Sequence, residues 1–382
     1  MLRYPMKQAP AFKDYLWGGE RLVADYGKRT DMRPVAESWE LSCHPDGPSA
    51  VENGPFAGQT LERVLREHPD FAGAAFAPGG AAGASGAGAS GSAGTPGADG
   101  AGNAHGASGA QGAAETGGPP GGAAGAFPVL VKLIDAKQNL SLQVHPDDAY
   151  ARERENSLGK NEMWYVADCE PGASLILGFS RAMGRAEIVE AIENGSILDD
   201  VNVVPVSPGD CFCVPAGLIH AIGAGIVIAE IQQSSNITYR VYDYGRTGAD
   251  GKPRPLHIGR AADVIDTGLS AKNSSRGAAP LRHKGYAETV LAGWRYFRVS
   301  RLDISAGADS PAELRCGEAS FHGLLVIDGG LSLLWAAPGA ACAARAAPEE
   351  TMPLAKGDCV FVPAGMGAYG LSGAATALLV TL

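Results

Sequence analysis

Two histidines, a glutamate and a glutamine are the residues of this chain best suited to bind a metal ion. His145 and His220 each border a short apolar run, Glu162 begins another, and Gln143 shortly precedes His145. Imidazole nitrogens with carboxylate and amide oxygens suit zinc with one open position, and they also suit manganese or iron in the same geometry. A lone strand histidine is more often a core residue than a ligand. The metal prediction therefore depends on all four groups meeting in one interior.

Alternating sequence patterns predict the strands that position these groups. The run LSLQVH at 140–145 alternates strictly, so Ser141, Gln143 and His145 share one face opposite three aliphatic residues. The run GKNEMWYV at 159–166 places Lys160 and Glu162 together on one face of a further strand. Each polar face is expected to point either into solvent or into a site.

The stretch SPGDCFCVPAGLIHAIG at 207–223 predicts a strand, a tight turn and a second strand that carries His220. It recurs as AKGDCVFVPAGMGAYG at 355–370, where Ala368 takes the place of the histidine. Two copies of one unit indicate two similar β-domains related by duplication. We therefore expect a catalytic domain at residues 1–282 and a second, metal-free β-domain at 283–382.

A segment of different composition interrupts the first predicted domain. Residues 77–126 consist almost entirely of Ala, Gly, Ser, Pro and Thr and contain no aromatic or branched aliphatic residue. Such a segment cannot bury enough apolar surface to offset the conformational entropy that ordering would cost. We predict a disordered insertion here rather than a boundary between domains, because the strand pattern resumes directly after it.

Composition excludes several classes of partner. The net charge is −10 and no run is rich in Lys or Arg, which argues against nucleic acid. No apolar run approaches the roughly 20 residues of a membrane span, and the first residues lack the apolar stretch of a signal peptide. We expect a cytoplasmic protein. A small anionic substrate is compatible with the acidic balance if a few cations converge on it.

Three cations could supply that local positive charge: Lys132, Lys160 and Arg240. In the alternative interpretation, Lys132 is a strand-end lysine that reaches water, and Arg240 forms a structural pair with Asp243 or Glu230. The strand ESWEL at 37–41 is expected to turn Trp39 toward the core, with the two glutamates in it on the surface or in supporting roles, away from the face of Trp39.

The seven cysteines are scattered and odd in number, so buried thiols that pack as small hydrophobes explain them best. The pair Cys211 and Cys213 alternates in a predicted strand and is a weak alternative metal site.

Longer motifs connect these features to a known family. The spacing Gly209-x5-Pro215-x-Gly217-x2-His220 matches the second metal-binding motif of cupin barrels. The chain further contains KDYLWGGERL, ESWELSCHPDG, LIDAKQNLSLQVHPDD, GKNEMWYV, VPAGLIHAIG and IQQSSNITYRVYDYGR. With these motifs it resembles the shorter bacterial form of the zinc-dependent type I mannose-6-phosphate isomerases, across the first 282 residues apart from the insertion. The resemblance implies a mainly β fold of two cupin-type jelly-roll domains with short helical insertions, the second degenerate.

The resemblance also implies roles for individual residues. One zinc ion per chain would be held by Gln143, His145, Glu162 and His220. Arg240 would lie against the substrate near its reacting carbons, and the same pocket would be lined by Lys132, Ser141, Lys160 and Glu230. The implied reaction interconverts mannose 6-phosphate and fructose 6-phosphate through a cis-enediol(ate), with Arg240 as an electrostatic stabiliser. The base stays open between Lys160, Glu230 and a zinc-bound water.

Two other functions are compatible with the motifs: a non-heme metal cupin oxygenase and a non-catalytic sugar-phosphate sensor. An oxygenase would leave Lys132, Lys160 and Arg240 without a role. A sensor would not need the full set of four ligands and the arginine. We expect a small phosphorylated sugar as substrate and a monomer or homodimer.

Overall fold

The computed structural model describes residues 3–76, 127–248, 251–270, 277–336 and 349–382. The predicted disordered insertion at 77–126 lies outside the described residues, as does the seventh cysteine, Cys342. Within the described ranges, no helix is both long and apolar enough to cross a lipid bilayer.

The described chain is mainly β, which confirms the predicted fold class. Its strands, in chain order, are β1 (Met6–Ala9), β2 (Ala11–Lys13), β3 (Glu37–Leu41), β4 (Ala50–Val51), β5 (Val129–Ala136), β6 (Leu142–Val144), β7 (Glu162–Cys169), β8 (Ser174–Phe179), β9 (Val201–Pro205), β10 (Cys211–Val214), β11 (His220–Ile222), β12 (Ile226–Gln233), β13 (Tyr239–Tyr242), β14 (Leu281–His283), β15 (Tyr286–Gly293), β16 (Arg298–Ala306), β17 (Ala312–Cys316), β18 (His322–Ala336), β19 (Glu349–Ala355), β20 (Cys359–Val362) and β21 (Gly367–Thr381). The α-helices are α1 (Arg21–Ala24), α2 (Leu61–Glu67), α3 (Asp148–Glu155), α4 (Arg185–Asn194) and α5 (Ile258–Val264).

The short helices begin and end where their sequences provide caps. Thr60 Oγ1 accepts a hydrogen bond from the Arg63 N–H at 3.2 Å at the start of α2, and Asp147 caps α3 in the same way. Gly195 ends α4 in the left-handed conformation, with φ of +81°, which glycine adopts readily.

Two antiparallel sheets face each other and enclose the first apolar interior. One contains six strands in the order β10-β7-β12-β5-β3-β2, and the other contains five in the order β13-β6-β11-β8-β9. Trp164, Phe212 and Ile228 of the first sheet pack against Leu175 and Leu177 of the second. The predicted ligands are therefore divided between the two sheets and can meet in the space between them.

Strand β3 corrects one sequence expectation. Residues two apart in a strand share a face, so Glu37 and Trp39 point the same way, and Trp39 Nε1 donates to Glu37 Oε2 at 2.6 Å. Glu40 points to the other face, where it is fully buried and pairs with Lys28 at 2.6 Å. The prediction that neither glutamate shares the face of Trp39 was wrong for Glu37, and of the two predicted alternatives the surface position was wrong for both, because protein covers both faces of β3.

The third sheet contains β14-β15-β16-β21-β18-β20-β1-β4 in that order, with β17 paired to β21 and β19 paired to β18. The repeated turn has one backbone conformation in both copies. Gly209 and Gly357 have φ of +91° and +92°, and Gly217 and Gly365 have φ of +87° and +73°. Only glycine adopts such angles readily, which explains why the sequence pattern recurs.

The first strand of the chain belongs to this third sheet. β1 pairs with β20, placing Met6 opposite Phe361. Lys28 Nζ, besides its ion pair with Glu40, donates to the Gly357 carbonyl at 2.6 Å. The N-terminal segment therefore contacts the C-terminal strands directly, while the division of the chain at residue 282 stays a prediction.

Candidate active site

The predicted ligands meet between the two facing sheets. His220 begins β11 and lies opposite Gln143 of β6, while His145 follows the end of β6. Glu162 begins β7 in the other sheet. His145, Glu162 and His220 are buried, and their ligand atoms all lie within 4.8 Å of one another, a group that could hold a metal ion.

Backbone carbonyls fix the tautomer of both imidazoles. His145 Nδ1 lies 2.8 Å from the Ile237 carbonyl, and His220 Nδ1 lies 2.8 Å from the Leu218 carbonyl. A carbonyl oxygen can only accept, so each Nδ1 carries the proton and each Nε2 presents a lone pair. Gln143 extends the set, because its amide group lies 3.3 Å from His220 Nε2 and can present its oxygen there.

Glu162 adds a carboxylate to the two imidazoles, and all three groups are in the protonation states that binding of a cation requires. Its Oε1 lies 3.2 Å from His145 Nε2, and neither oxygen accepts a hydrogen bond of good geometry from the described residues. Burial and then Lys160 lower the pKa of His145 to about 3, and burial lowers the pKa of His220. Burial raises the pKa of Glu162, but the Lys160 ammonium group outweighs this effect and holds the pKa of Glu162 well below its usual range. Neutral imidazoles beside an ionised carboxylate fit a divalent metal.

Lys160 is the cation that contacts this cluster. Its Nζ lies 2.7 Å from Glu162 Oε1 and 3.3 Å from His145 Nε2, and the residue is 4% exposed. The side chains of Lys160 and Glu162 therefore point to the same side, as predicted.

A cavity of about 280 Å³ opens beside the cluster. Its lining includes every non-ligand residue that the sequence assigned to the pocket, together with one of the ligands: Lys132, Ser141, Gln143, Lys160, Glu230 and Arg240. It also includes residues that the sequence reasoning did not assign: Tyr15, Trp17, Glu37, Asn236, Thr238 and Arg254.

Lys132 lies in the middle of β5 and is 3% exposed, so the interpretation as a strand-end lysine reaching water was wrong. Its Nζ lies 3.1 Å from Glu230 Oε1 and 3.6 Å from Glu37 Oε2, and 5.0 Å from the ring of Trp39. Glu230 also accepts a hydrogen bond from Trp164 Nε1 at 2.9 Å. Two carboxylates flank this ammonium group, so Lys132 adds no net positive charge to the cavity.

The uncompensated positive charge lies at the other end, where three arginines surround one carboxylate. Asp243 pairs with Arg246 and, at 3.3 Å, with Arg254. Arg240 donates to the Pro255 carbonyl at 3.0 Å; among the described residues its Nε has no hydrogen-bond partner and no carboxylate pairs with it. The alternative of a structural pair between Arg240 and Asp243 or Glu230 was therefore wrong.

The two strand cysteines do not join the cluster. Cys211 is buried and Cys213 packs against the same apolar group of residues. Burial raises the pKa of both thiols, which opposes the thiolate form that binds metals.

The fold and this cluster define a class of protein, a cupin-type β protein in which a buried His-Glu-His group lies beside a cationic cavity. A scan against models of known protein families finds no match. The chain is 31% identical to mannose-6-phosphate isomerase ManA of Bacillus subtilis over 387 residues, covering 99% of both chains. It belongs to the mannose-6-phosphate isomerase family.

Solved structures agree with this assignment. The crystal structure of mannose 6-phosphate isomerase from Bacillus subtilis matches with a TM-score of 0.76, at 31% identity and 99% coverage of both chains. A mannose 6-phosphate isomerase bound with zinc and yttrium, 15% identical, shares the fold with a TM-score of 0.63 and 98% coverage of both chains. The family inferred from the motifs is thus confirmed.

Proposed function

We propose that this chain is a metal-dependent aldose–ketose isomerase that interconverts mannose 6-phosphate and fructose 6-phosphate. The observation that carries the proposal is the pairing of a His-Glu-His cluster with an arginine-rich end within one small cavity. The names of its relatives point to the same reaction. An oxygenase would require no arginines at that end.

The metal of this proposal is zinc, one ion per chain, held by Gln143, His145, Glu162 and His220. The supporting observations are the two Nε2 lone pairs that protonation at Nδ1 leaves available and the buried carboxylate of Glu162 beside them. When bound, zinc polarises a carbonyl or hydroxyl oxygen of the sugar as a Lewis acid. The same donors suit manganese or iron, so metal content is part of the test.

The charges of the cavity orient the substrate. Lys132 is balanced by Glu37 and Glu230. Arg246 and Arg254 share only Asp243, and Arg240 beside them pairs with no carboxylate of the described residues. The phosphate therefore binds at the arginine end, and the sugar carbons extend toward the His-Glu-His cluster. Arg254, which lines the cavity, is the phosphate-binding residue that the sequence reasoning missed.

Arg240 has a position between these two ends. It lies opposite Gln143 in the pairing of β13 with β6, which brings it beside the metal cluster. We assign it to the oxyanion that develops at C1 or C2 during formation of the cis-enediol(ate). Lys132 and Ser141 hold sugar hydroxyl groups in this assignment.

Two groups of the chain are candidates for the proton transfer between C1 and C2. Lys160 contacts Glu162 and His145 directly, whereas Glu230 is held between Lys132 and Trp164. Burial raises the pKa of Glu230, which favours a carboxyl group able to exchange protons.

The test is formation of fructose 6-phosphate from mannose 6-phosphate by the purified chain, before and after chelation, with zinc then added back. Activity that is lost with the chelator and restored by zinc supports both the reaction and the metal. In deuterated water, deuterium at C1 of fructose 6-phosphate, and at C2 of mannose 6-phosphate re-formed in the reverse reaction, supports the enediol(ate). Lys160→Met and Glu230→Gln are compared in the same assay, and the variant that loses exchange as well as turnover identifies the base. No turnover in the zinc-loaded chain would reject the proposal.

Location in the cytoplasm and a monomeric or homodimeric state remain predictions. Fractionation of cells and light scattering of the purified protein test them independently of activity.

A further inference from the structure

A buried carboxylate that is not a candidate ligand lies close to His145 in the chain. Asp148 begins α3 and is 7% exposed. Its Oδ1 accepts hydrogen bonds from the Gly159 N–H and from Gln233 Nε2, both at 2.9 Å. Its Oδ2 accepts from Tyr296 OH at 2.7 Å and from Arg295 Nη2 at 3.1 Å. Four donors therefore converge on one carboxylate.

Gln233 extends the connection from Asp148 to the strand of Glu162. Its Oε1 accepts from the backbone N–H of Asn161 at 3.0 Å and from Asn161 Nδ2 at 2.7 Å. The Gln233 N–H in turn donates to the Asn161 carbonyl at 3.1 Å. Asn161 lies between Lys160 and Glu162, so these bonds fix the backbone directly before the ligand carboxylate.

Asn161 also connects to the turn that precedes His220. Its Oδ1 accepts from the Ala216 N–H at 3.0 Å, and the next N–H, of Gly217, donates to the His145 carbonyl at 2.9 Å. The segments that carry His145, Glu162 and His220 are thus joined by side chains outside the ligand set. Hydrogen bonds of this kind orient ligands and tune metal affinity.

The other end of the connection lies among the C-terminal strands. Tyr296 and Arg295 occupy the loop between β15 and β16, in the part of the chain whose copy of the turn has lost the histidine. Arg295 donates to Tyr296 OH at 2.6 Å and lies 4.7 Å from its ring. Both side chains reach Asp148 from the third sheet.

We propose that Asp148 is a positioning residue through which the C-terminal strands hold His145, Glu162 and His220 at metal-binding geometry. This inference rests on the metal site of the proposed function, but it does not depend on turnover. The C-terminal strands, which carry no ligand, would influence the metal site through the hydrogen bond from Tyr296 to Asp148. Removing that hydroxyl loosens Asp148, then Gln233 and Asn161, and the ligand atoms lose their fixed separation.

The experiment measures zinc affinity by competition with a chromophoric chelator, for the full chain and its variants. Asp148→Asn replaces one acceptor oxygen by an NH2 group, which cannot accept the hydrogen bonds that the surrounding donors make to Asp148. Zinc is therefore expected to bind about 10- to 100-fold more weakly. Tyr296→Phe removes a single hydroxyl and is expected to weaken zinc binding about threefold or more. In the Asp148→Asn background the Tyr296→Phe change is expected to have little further effect, because both act through one carboxylate.

Tyr369→Phe is the matched control. It removes another buried tyrosine hydroxyl from the C-terminal strands, one that lies 2.8 Å from His322 Nδ1. Thermal unfolding shows that each variant is folded, and zinc affinity of the control is expected to equal that of the wild type. Wild-type affinity in Tyr296→Phe, an equal loss in the control, or additive losses in the double variant would overturn the proposal. Failure of the wild type itself to bind zinc would overturn the metal site together with this inference.

Discussion

The Nε2 atoms of His145 and His220 lie 3.1 Å apart, and each imidazole donates its Nδ1 proton to the backbone carbonyl of another residue. Two lone pairs that face each other in a buried interior repel unless a cation lies between or beside them. Lys160 Nζ supplies positive charge at 3.3 Å from one of them. The two imidazoles are therefore well placed to bind a cation, and the same arrangement would be unfavourable in an uncharged, apolar core.

Zinc is expected to stabilise the wild-type chain against thermal unfolding through this pair. At a zinc concentration of 100 times Kd, the stabilisation is about 2.7 kcal/mol. His220→Ala removes one of the facing nitrogens and is expected to abolish the zinc-dependent rise in Tm. His283→Ala, at an exposed histidine of β14, is the control and should keep it. An unchanged zinc-dependent rise in His220→Ala would contradict the ligand assignment.

Arg254→Ala is expected to raise KM for mannose 6-phosphate about 10- to 100-fold, the range for one hydrogen bond to a charged group. The kcat should change much less, because Arg254 lies at the arginine end and away from the reacting carbons. Inorganic phosphate should inhibit the wild type competitively and the variant only weakly. Arg260→Ala changes an exposed arginine that pairs with Glu155 and serves as the control. Equal KM values in Arg254→Ala and the wild type would reject the phosphate assignment.

Lys132→Met is expected to reduce the free energy of unfolding by about 3–5 kcal/mol, because it leaves Glu37 and Glu230 buried without their cation. The double variant Lys132→Met/Glu230→Gln removes one of the two stranded charges and should recover part of the loss. Urea denaturation measures both. A double variant less stable than Lys132→Met would show that the ion pairs are not the cause.

Stability is expected to fall as the pH drops from 7 to 5, partly through His322. Burial lowers the pKa of His322 to about 4, whereas an exposed histidine titrates near 6.5. Between these values the unfolded chain binds a proton that the folded chain does not, so stability decreases with falling pH and levels off below about 4. The contribution from pH 7 to pH 5 is about 2 kcal/mol. His322→Gln should flatten the profile by that amount, and parallel profiles would contradict the assignment.

The residues that local patterns could identify are those whose role follows from strand alternation or from a turn that needs glycine. Ser141, Gln143 and His145 follow from strict alternation, and His220 follows from turns at Gly209 and Gly217 that both have positive φ. The same alternation rule places Glu37 on the face of Trp39 in β3, contrary to our prediction.

Other parts of the site carry no local signal. Arg254 lies in an irregular segment after β13, so no periodicity indicates where its side chain points. The contact of Asp148 with Tyr296 joins residues far apart in the chain, and only the packing of the third sheet brings them together. The charge balance of Lys132 likewise depends on two carboxylates delivered by neighbouring strands.

The pairing of Met6 with Phe361 has a consequence for synthesis of the chain. A ribosome that adds about 5–20 residues per second needs roughly 20 to 70 seconds to go from the first of these residues to the second. Throughout that time β1 can pair with β4, but the backbone donors and acceptors that it presents to β20 are available to other strands. The third sheet therefore cannot be completed before β20 has been synthesised, and chaperones that shield strand edges have a defined segment to protect.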